Sequence, residues 1–213
     1  SNHDVVRHVT RWGANVLDRE AYAKMTSALL LTQRGSVCIY QGEELGLTEA
    51  EIAFEDLQDP YGIAMWPEFK GRDGCRTPMV WRDAPDGGFG SNNPWLPVPK
   101  EHRALAVERQ TQHAQSLLHF YTRLLHWRRR QPALVHGNQR LLSVHEQVLA
   151  FVREHQGRAM LCVYNFSAQP VRWALPADFV AADVCEAAGA YEEKSPESGH
   201  LVLAPWGYAF CTP

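Results

Sequence analysis

The sequence of 213 residues lacks both long apolar segments and extended blocks of like charge. No uninterrupted apolar run approaches the roughly 20 residues that cross a bilayer. The formal net charge is −3, and the one compact basic run is Arg128–Arg130, so the broad positive surface typical of nucleic-acid-binding proteins is missing. We therefore expect neither a membrane nor a nucleic acid as a partner.

Cysteine is also scarce, and its spacing argues against the common cysteine-based sites. The five cysteines are odd in number, widely separated and form no Cys-x-x-Cys pair, which argues against a zinc site and against a disulfide framework. They are Cys38, Cys75, Cys162, Cys185 and Cys211. No cluster of oxygen ligands for Ca²⁺ is visible either. The sequence thus predicts no metal site and no cofactor in this chain, while metal dependence stays open. Unpaired thiols favour a reducing, cytoplasmic location.

The first regular pattern along the chain is a helix followed by a short apolar run. Apolar residues recur at helical spacing between Ala21 and Thr32, and Gly35 provides an end signal. Val37–Tyr40 is continuously apolar, which predicts a buried strand. A buried strand directly after a helix favours a parallel sheet covered on both faces, as in an α/β barrel.

The segment 41–115 has no sustained period and is rich in Gly, Pro, Asp, Asn and Trp. Structureless loops much beyond about 12–15 residues are uncommon in compact domains unless they are functional, so this segment predicts a binding site. Ser116 then offers an N-cap to a predicted helix that reaches Arg130, with Pro132 beyond it. The arginines at the end of this helix favour a helix-end role over a phosphate site.

After Pro132 the apolar period changes toward two, which predicts a small antiparallel β domain. A turn is predicted at Gln156–Gly157, and two later apolar runs are split by Pro205–Gly207. The apolar segments are Val148–Val152, Met160–Tyr164, Val171–Leu175, Leu201–Leu203 and Tyr208–Phe210. The boundary between the two domains is predicted near residues 137–141.

Three local motifs carry the chemical information. Ser1–Asp4 is Ser-Asn-His-Asp, Tyr40–Gly46 contains Tyr-Gln-Gly-Glu-Glu, and Gly71–Trp81 contains Arg-Asp-x-x-Arg-Thr-Pro-Met-x-Trp. In this order and at these separations they resemble the α-amylase family of glycoside hydrolases, in its α-glucosidase and oligo-1,6-glucosidase branch. Phe89 and Pro94–Val98 continue the resemblance, which covers nearly the whole chain.

The resemblance implies an α/β plus all-β fold. Residues 1–136 would form the C-terminal end of a (β/α)8 TIM barrel, and residues 137–213 an antiparallel β-sandwich domain. The first motif would end the seventh barrel strand, Val37–Tyr40 would be the eighth, and 41–115 would be the long loop after it. Catalytic groups in such barrels project from the C-terminal ends of the strands, so we expect the site at the first motif and this loop.

The resemblance also implies a retaining, exo-acting α-glucosidase that removes terminal α-linked glucose from a short oligosaccharide or disaccharide. Asp4 would be its third carboxylate, which stabilises the positive charge of the transition state. His3 would donate a hydrogen bond to the same sugar, and Arg72 would bind the terminal glucose. The alternatives are a structural role for His3 and, for Arg72, a surface ion pair with Asp73. Arg76 is expected to belong to the ion-pair scaffold of the loop.

Other side chains are weaker candidates for sugar contacts. Glu49 is a candidate for the acceptor sugar, and a solvated acidic face explains it equally well. Trp66 and Phe69 are candidates for stacking on sugar rings, with packing as the alternative. Glu43 and Glu44 are neighbours whose side chains point in different directions, so we expect them to support the loop rather than to act as a catalytic pair.

Two groups that retaining hydrolysis requires are not found in the sequence. No segment matches the family's nucleophilic Asp or its acid/base Glu, so we expect the chain to need the missing N-terminal portion of the barrel and to be inactive alone. The chain begins with Ser1 and shows no secretion signal, which favours the later part of a longer polypeptide. Two alternatives stay open: a transglycosylase or sucrose isomerase of the same family, and a non-catalytic barrel relative that acts as an interaction module.

Overall fold

The computed structural model describes residues 1–90, 93–142, 145–185, 189–195 and 199–213. Its contacts divide the chain into two units. We call them the loop unit, Ser1–Leu17 with Cys38–Phe120, and the sheet unit, Asp18–Val37 with Tyr121–Pro213. This division does not test the predicted domain boundary between residues 136 and 137, which stays a prediction.

The regular elements of the described residues are helices and 3₁₀ turns up to residue 136 and, apart from one 3₁₀ turn, strands after it. The helices are α1 (His8–Arg11), α2 (Arg19–Thr32), α3 (Pro60–Ala64), α4 (Lys100–Arg103), α5 (Val107–Gln110), α6 (Leu117–Arg129) and α7 (Pro132–His136). Single 3₁₀ turns occupy Glu43–Leu45, Phe54–Asp56, Asp73–Cys75 and Ala177–Phe179. The strands are β1 (Asn138–Leu141), β2 (Val148–His155), β3 (Arg158–Asn165), β4 (Val171–Ala174), β5 (Asp183–Val184), β6 (Gly189–Ser195) and β7 (His200–Thr212). Among the described residues, no helix is long and apolar enough to cross a membrane.

The long irregular segment predicted for residues 41–115 is confirmed over its described part, which contains short helices and 3₁₀ turns but no strand. Two small apolar clusters give it a core. The first contains Leu45, Leu47, Val80 and Ala106, and the second contains Ala50, Ile52, Leu57 and Leu96. Because these clusters fix the chain at several points, an irregular backbone can hold polar side chains in defined positions.

A buried arginine, Arg7, joins separate stretches of the loop unit. Its Nη1 donates to the Gln41 carbonyl at 2.7 Å and its Nη2 to the Cys75 carbonyl at 3.0 Å. Gly42 has a φ of 86°, and a Cβ at that position would lie 2.6 Å from Leu47 Cδ1 and 3.0 Å from Arg7 Nη1. The glycine of the second motif is therefore required by its backbone angle and by the close approach of Leu47 and Arg7.

Helix α2 agrees with the prediction, but the strand predicted after it is wrong. Asp18 caps the helix by accepting a hydrogen bond from the Ala21 backbone N at 3.0 Å, so α2 begins two residues before the predicted start. Val37–Tyr40 pairs with no other segment of the described chain and is not a strand. A strand exists only through hydrogen bonds to a neighbouring strand, which an apolar run cannot supply by itself.

Helix α6 begins where its sequence signal predicts. Ser116 Oγ accepts a hydrogen bond from the His119 backbone N at 3.3 Å, as an N-cap does. The helix-end role predicted for Arg128 takes a different form. Its Nε donates to the Leu31 carbonyl at 2.7 Å and its Nη2 to the Gly35 carbonyl at 3.3 Å, so it binds the carbonyl end of α2 rather than that of its own helix.

Over its described residues, the sheet unit contains one antiparallel sheet. In this sheet β1, β2, β3, β7 and β4 are neighbours in that order, and β5 and β6 also pair with β7. The predicted turn is confirmed, because Gln156 and Gly157 have φ values of 47° and 77° and join β2 to β3. The predicted split at Pro205–Gly207 is wrong, since β7 runs through it. The strand changes partner there instead: β4 pairs with residues 200–203 and β3 with residues 208–211.

Candidate active site

Asp4 is a half-exposed carboxylate that faces two arginines and a histidine. Its Oδ1 accepts hydrogen bonds from Arg76 Nη2 at 3.0 Å and from Arg72 Nη1 at 3.2 Å. Its Oδ2 lies 3.1 Å from His3 Nε2. The Asp4 backbone N donates to Asn2 Oδ1 at 2.8 Å, which fixes the end of the first motif. The structure thus brings together three of the residues singled out in the sequence: Asp4, His3 and Arg72.

Arg72 is held on its other side by Asp59. The Asp59 Oδ2 accepts hydrogen bonds from Arg72 Nε and from the Arg72 backbone N, both at 2.8 Å, and Asp59 Oδ1 accepts one from Arg72 Nη2 at 2.9 Å. These bonds from Arg72 hold the pKa of Asp59 well below its usual range, and Asp59 in turn raises the pKa of Arg72. Both groups therefore carry their charges across the neutral pH range.

The alternative ion pair between Arg72 and Asp73 is wrong. Asp73 is completely buried, and its Oδ2 accepts hydrogen bonds from the backbone N of Gln58 at 2.6 Å and of Asp59 at 2.8 Å. Asp73 therefore holds the segment that carries Asp59. Its carboxylate accepts hydrogen bonds from backbone N–H groups, and the Arg72 guanidinium donates to Asp59 and Asp4 instead.

Arg76 is an ion-pair residue, as expected, but its partner is Asp4 itself. Besides the bond to Asp4, its Nε donates to the His3 carbonyl at 2.7 Å. One guanidinium therefore fixes both the backbone and the carboxylate of the first motif. A bidentate, planar donor group is suited to holding a carboxylate in one orientation.

Glu49 has contacts that favour a structural role over a sugar contact. Its Oε2 accepts a hydrogen bond from the Arg7 backbone N at 3.0 Å, and its own backbone N donates to Thr10 Oγ1 at 2.9 Å. Burial raises the pKa of Glu49. Neighbouring Glu51 forms an exposed ion pair with Lys70. The contact proposed between Glu49 and an acceptor sugar stays a prediction.

The two aromatic candidates are accessible. Trp66 is 37% exposed and packs on Phe54 with the ring centroids 5.6 Å apart, and Phe69 is 42% exposed. Exposed aromatic faces of this kind are suitable for stacking on sugar rings. Their contact with a sugar stays a prediction.

Glu43 supports the loop in this structure. It is buried, accepts a hydrogen bond from the Tyr40 backbone N at 3.1 Å, and has its Oε1 3.4 Å from His8 Nδ1. Burial alone would raise the pKa of Glu43, but hydrogen bonds from His8 and from the Ser1 amine lower it to about 2. Burial raises the pKa of Glu44. Within the ranges that the structure describes, no group of three or more His, Cys, Asp or Glu side chains is arranged to hold a metal ion.

Two family models match the chain. The alpha amylase catalytic domain matches residues 1–137, and the maltogenic amylase C-terminal domain matches residues 139–210. The chain belongs to the α-amylase family. This confirms the predicted fold class, the late part of an α-amylase catalytic domain followed by an antiparallel β domain.

Curated relatives of this family have names that agree with the motifs. A probable alpha-glucosidase from Rhizobium meliloti is 52% identical over 176 residues, which covers 83% of this chain and 32% of the relative. An oligo-1,6-glucosidase from Halalkalibacterium halodurans is 31% identical over 212 residues, which covers 91% of this chain and 38% of the relative. Both relatives are named as glucosidases. The chain spans about a third to two fifths of the length of these relatives.

Solved structures extend the comparison to a glucosyl transfer enzyme and a trehalulose synthase. The alpha-glucosyl transfer enzyme XgtA superimposes with a TM-score of 0.92 at 50% identity, over all of this chain and 39% of XgtA. The trehalulose synthase MutB from Pseudomonas mesoacidophila superimposes with a TM-score of 0.83 at 28% identity, over all of this chain and 42% of MutB. Variants of MutB have been solved with sucrose and with glucose.

Two residues that hold this candidate site together were missed from the sequence. Asp59 had a local signal, because an Asp before Pro60 is typical of a helix start, and Asp59 Oδ1 does accept a hydrogen bond from the Tyr61 backbone N at 3.2 Å. Its second partner, Arg72, lies 13 residues along the chain, which no local pattern indicates. Arg7 had no signal, since its acceptors are backbone carbonyls.

Proposed function

We propose that the chain supplies the C-terminal part of the active site of a retaining, exo-acting α-glucosidase. Its substrate is a short oligosaccharide or disaccharide with a terminal α-linked glucose, and it acts in the carbohydrate metabolism of the cytoplasm. The names of the curated relatives support the reaction class. The observation that carries the proposal is the Asp4 carboxylate, set beside His3 and between two fixed guanidinium groups.

The geometry suits a stabilising role for Asp4 rather than the nucleophilic one. Retaining hydrolysis proceeds through a transition state in which the sugar ring carries positive charge. A carboxylate that is kept charged and oriented before the substrate arrives stabilises that charge without further reorganisation. Arg72 and Arg76 provide the orientation, and His3 and Arg72 provide donors for the hydroxyl groups of the same sugar.

The nucleophile and the acid/base belong, in this proposal, to the part of the catalytic domain that precedes these residues. We call this chain together with that part the complete enzyme. The chain alone is then inactive. Purified chain that hydrolysed p-nitrophenyl α-glucoside in an Asp4-dependent manner would contradict this.

The proposal is tested with Asp4→Asn in the complete enzyme, a substitution that removes the charge and keeps the shape. We expect kcat for p-nitrophenyl α-glucoside to fall on the order of 10²-fold or more, the scale for loss of one electrostatic stabiliser. The matched control is Asp83→Asn, which removes a carboxylate that pairs with Arg109 elsewhere in the loop unit. An unchanged kcat in the Asp4 variant, with the control equally active, would refute the assigned role.

Glucosyl transfer is the second candidate, because the superimposed structures include XgtA and MutB. Both reactions share the step that transfers glucose to the enzyme and differ in the acceptor, which is water or a sugar hydroxyl. Product analysis after incubation with sucrose separates them. Free glucose and fructose support hydrolysis, whereas an isomeric disaccharide or a longer oligosaccharide supports transfer.

A further inference from the structure

Asp59 is a buried carboxylate that accepts its hydrogen bonds from Arg72 and from the nearby Tyr61 backbone N. Asp59 is 2% exposed, although the side chain of its partner Arg72 is 30% exposed beside Asp4. Two nitrogens of the Arg72 side chain and the Arg72 backbone N donate to Asp59. This leaves Nη1 as the part of the guanidinium that is directed toward Asp4, at 3.2 Å from Oδ1.

The surrounding backbone is built to keep Asp59 and Arg72 together. Gly62 and Gly71 meet so closely that a Cβ on Gly71 would lie 2.8 Å from the Gly62 Cα and 3.0 Å from Asp59 Oδ2. Gly71 also has a φ of 77°, which side-chain-bearing residues rarely adopt. Asp73 holds the Asp59 backbone N from the other side. The pair is therefore fixed by the fold rather than formed by chance between two mobile surface groups.

Asp59 also controls which face of Arg72 is available. An arginine side chain has many rotamers, and its planar guanidinium presents different pairs of N–H groups in each. A bidentate carboxylate on the Nε and Nη2 edge selects one of these orientations. The ring of Tyr61 lies 5.5 Å from the Arg72 guanidinium carbon and covers a further side of it.

We propose that Asp59 is a positioning residue, which fixes the guanidinium of Arg72 so that its Nη1 edge faces the terminal glucose beside Asp4. Asp59 itself does not touch the sugar. The inference rests on the proposed function, because it assigns Arg72 to the glucose-binding side of the same site.

The test is a double-mutant cycle in the complete enzyme, with Asp59→Asn, Arg72→Ala and the combined variant assayed on p-nitrophenyl α-glucoside. We expect kcat/KM to fall about 100-fold for Arg72→Ala and about tenfold for Asp59→Asn, the range for bonds to charged groups. Because Asp59 acts through Arg72, the double variant should be no less active than Arg72→Ala alone. We expect most of the Asp59→Asn loss in KM.

A merely structural role gives a different result. In that case Asp59→Asn lowers the melting temperature and reduces kcat/KM by the same factor whether or not Arg72 is present, and this multiplicative outcome overturns the inference. Should Asp59→Asn fail to fold, Asp59→Ser replaces it, since serine keeps an acceptor for the Tyr61 backbone N and still loses the bidentate contact. The same kinetic pattern is expected.

The outcome is separable from that of the proposed function. An inactive wild-type complete enzyme overturns the proposed function and this inference with it. An active wild-type enzyme that depends on Asp4 but shows an undiminished kcat/KM in both Asp59 variants overturns the inference alone.

Discussion

Arginine side chains have different partners in the two units. In the loop unit, Arg72 and Arg76 bind the carboxylates of the candidate site. In the sheet unit, Arg128 and Arg153 bind backbone carbonyls. A guanidinium beside the half-exposed Asp4 can exchange that contact when a ligand arrives, whereas the fully buried guanidinium of Arg153 has no such alternative. Arginine therefore orients a carboxylate of the candidate site in the loop unit, and it satisfies backbone carbonyls in the sheet unit.

Arg153 shows the second role most fully. It is completely buried, and its guanidinium donates to the carbonyls of Thr32, Leu134, Gly137 and Asn138. These carbonyls lie at the ends of α2 and α7 and at the start of β1. The last carbonyls of a helix have no partner within it, and the helix dipole makes that end negative. A buried guanidinium is thus an efficient cap for several chain ends at once.

The largest effect expected from this comparison is on stability, in Arg153→Met. The substitution leaves buried carbonyls without a donor, each worth on the order of 1–3 kcal/mol, partly offset by the lower cost of burying a neutral side chain. We expect the free energy of unfolding to fall by about 3 kcal/mol in urea titrations, with the kcat of the complete enzyme unchanged. Arg158→Met, an exposed arginine at the start of β3, is the control. Equal stabilities of the two variants would contradict the capping role.

Sequence reasoning succeeded where the signal was local. The N-cap Ser116, the turn at Gln156–Gly157 and the irregular segment before α6 are each set by residues next to one another. The apolar run Val37–Tyr40 failed as a strand because strand formation depends on a neighbour. Arg153 was missed for a related reason, since its acceptors are carbonyls that every residue carries.

The candidate site also contains residues that local motifs predicted and a contact that they did not. Asp4, His3 and Arg72 were predictable because they lie in motifs with recognisable residue types. The contact that orients Arg72 was not, because Asp59 looks like an ordinary helix cap until the fold brings the two segments together. Residue identity predicted the three groups that the structure brings together, and only the tertiary structure showed that Asp59 holds one of them, Arg72.

Arg7 refines the comparison between the units, because it is a buried arginine of the loop unit that binds backbone carbonyls. Its charge also affects a buried histidine.

His102 is fully buried, and its Nε2 donates to the Thr48 carbonyl at 2.9 Å. Burial and, secondarily, the charge of Arg7 lower the pKa of His102 from 6.5 to about 4. The folded state therefore resists taking up a proton that the unfolded chain accepts.

We accordingly expect the loop unit to lose stability as the pH falls. Between the unfolded pKa of 6.5 and the folded pKa of about 4, the unfolded chain binds more protons, so the free energy of unfolding decreases with decreasing pH. The loss between pH 7 and pH 5 should be about 2 kcal/mol. Urea titrations at both pH values test this, with His102→Gln as the comparison. A variant as pH-sensitive as the wild type would show that His102 does not carry the effect.

Arg76→Met tests the first role of arginine and should give a smaller effect. It removes one of the two guanidinium groups on Asp4 and the bond to the His3 carbonyl, while Arg72 still holds Asp4. We expect kcat in the complete enzyme to fall about tenfold, or about 1.4 kcal/mol, with little change in melting temperature. A variant with a lowered melting temperature but full kcat below that temperature would show that Arg76 stabilises the fold, as Arg153 does, rather than the candidate site.

The smallest effect is expected for Arg109→Met. This variant tests whether any arginine–carboxylate pair of the loop unit affects stability or kcat, or only those at Asp4. Arg109 donates through Nε to Asp83 Oδ2 at 3.1 Å, and both side chains are accessible to water. An exposed ion pair gains little, because water and salt screen its charges and holding two long side chains costs conformational entropy. We expect no measurable change in melting temperature or kcat, measured beside Arg76→Met at the same ionic strength. Equal losses in the two variants would mean that proximity to Asp4 does not separate a functional arginine from an ordinary surface pair.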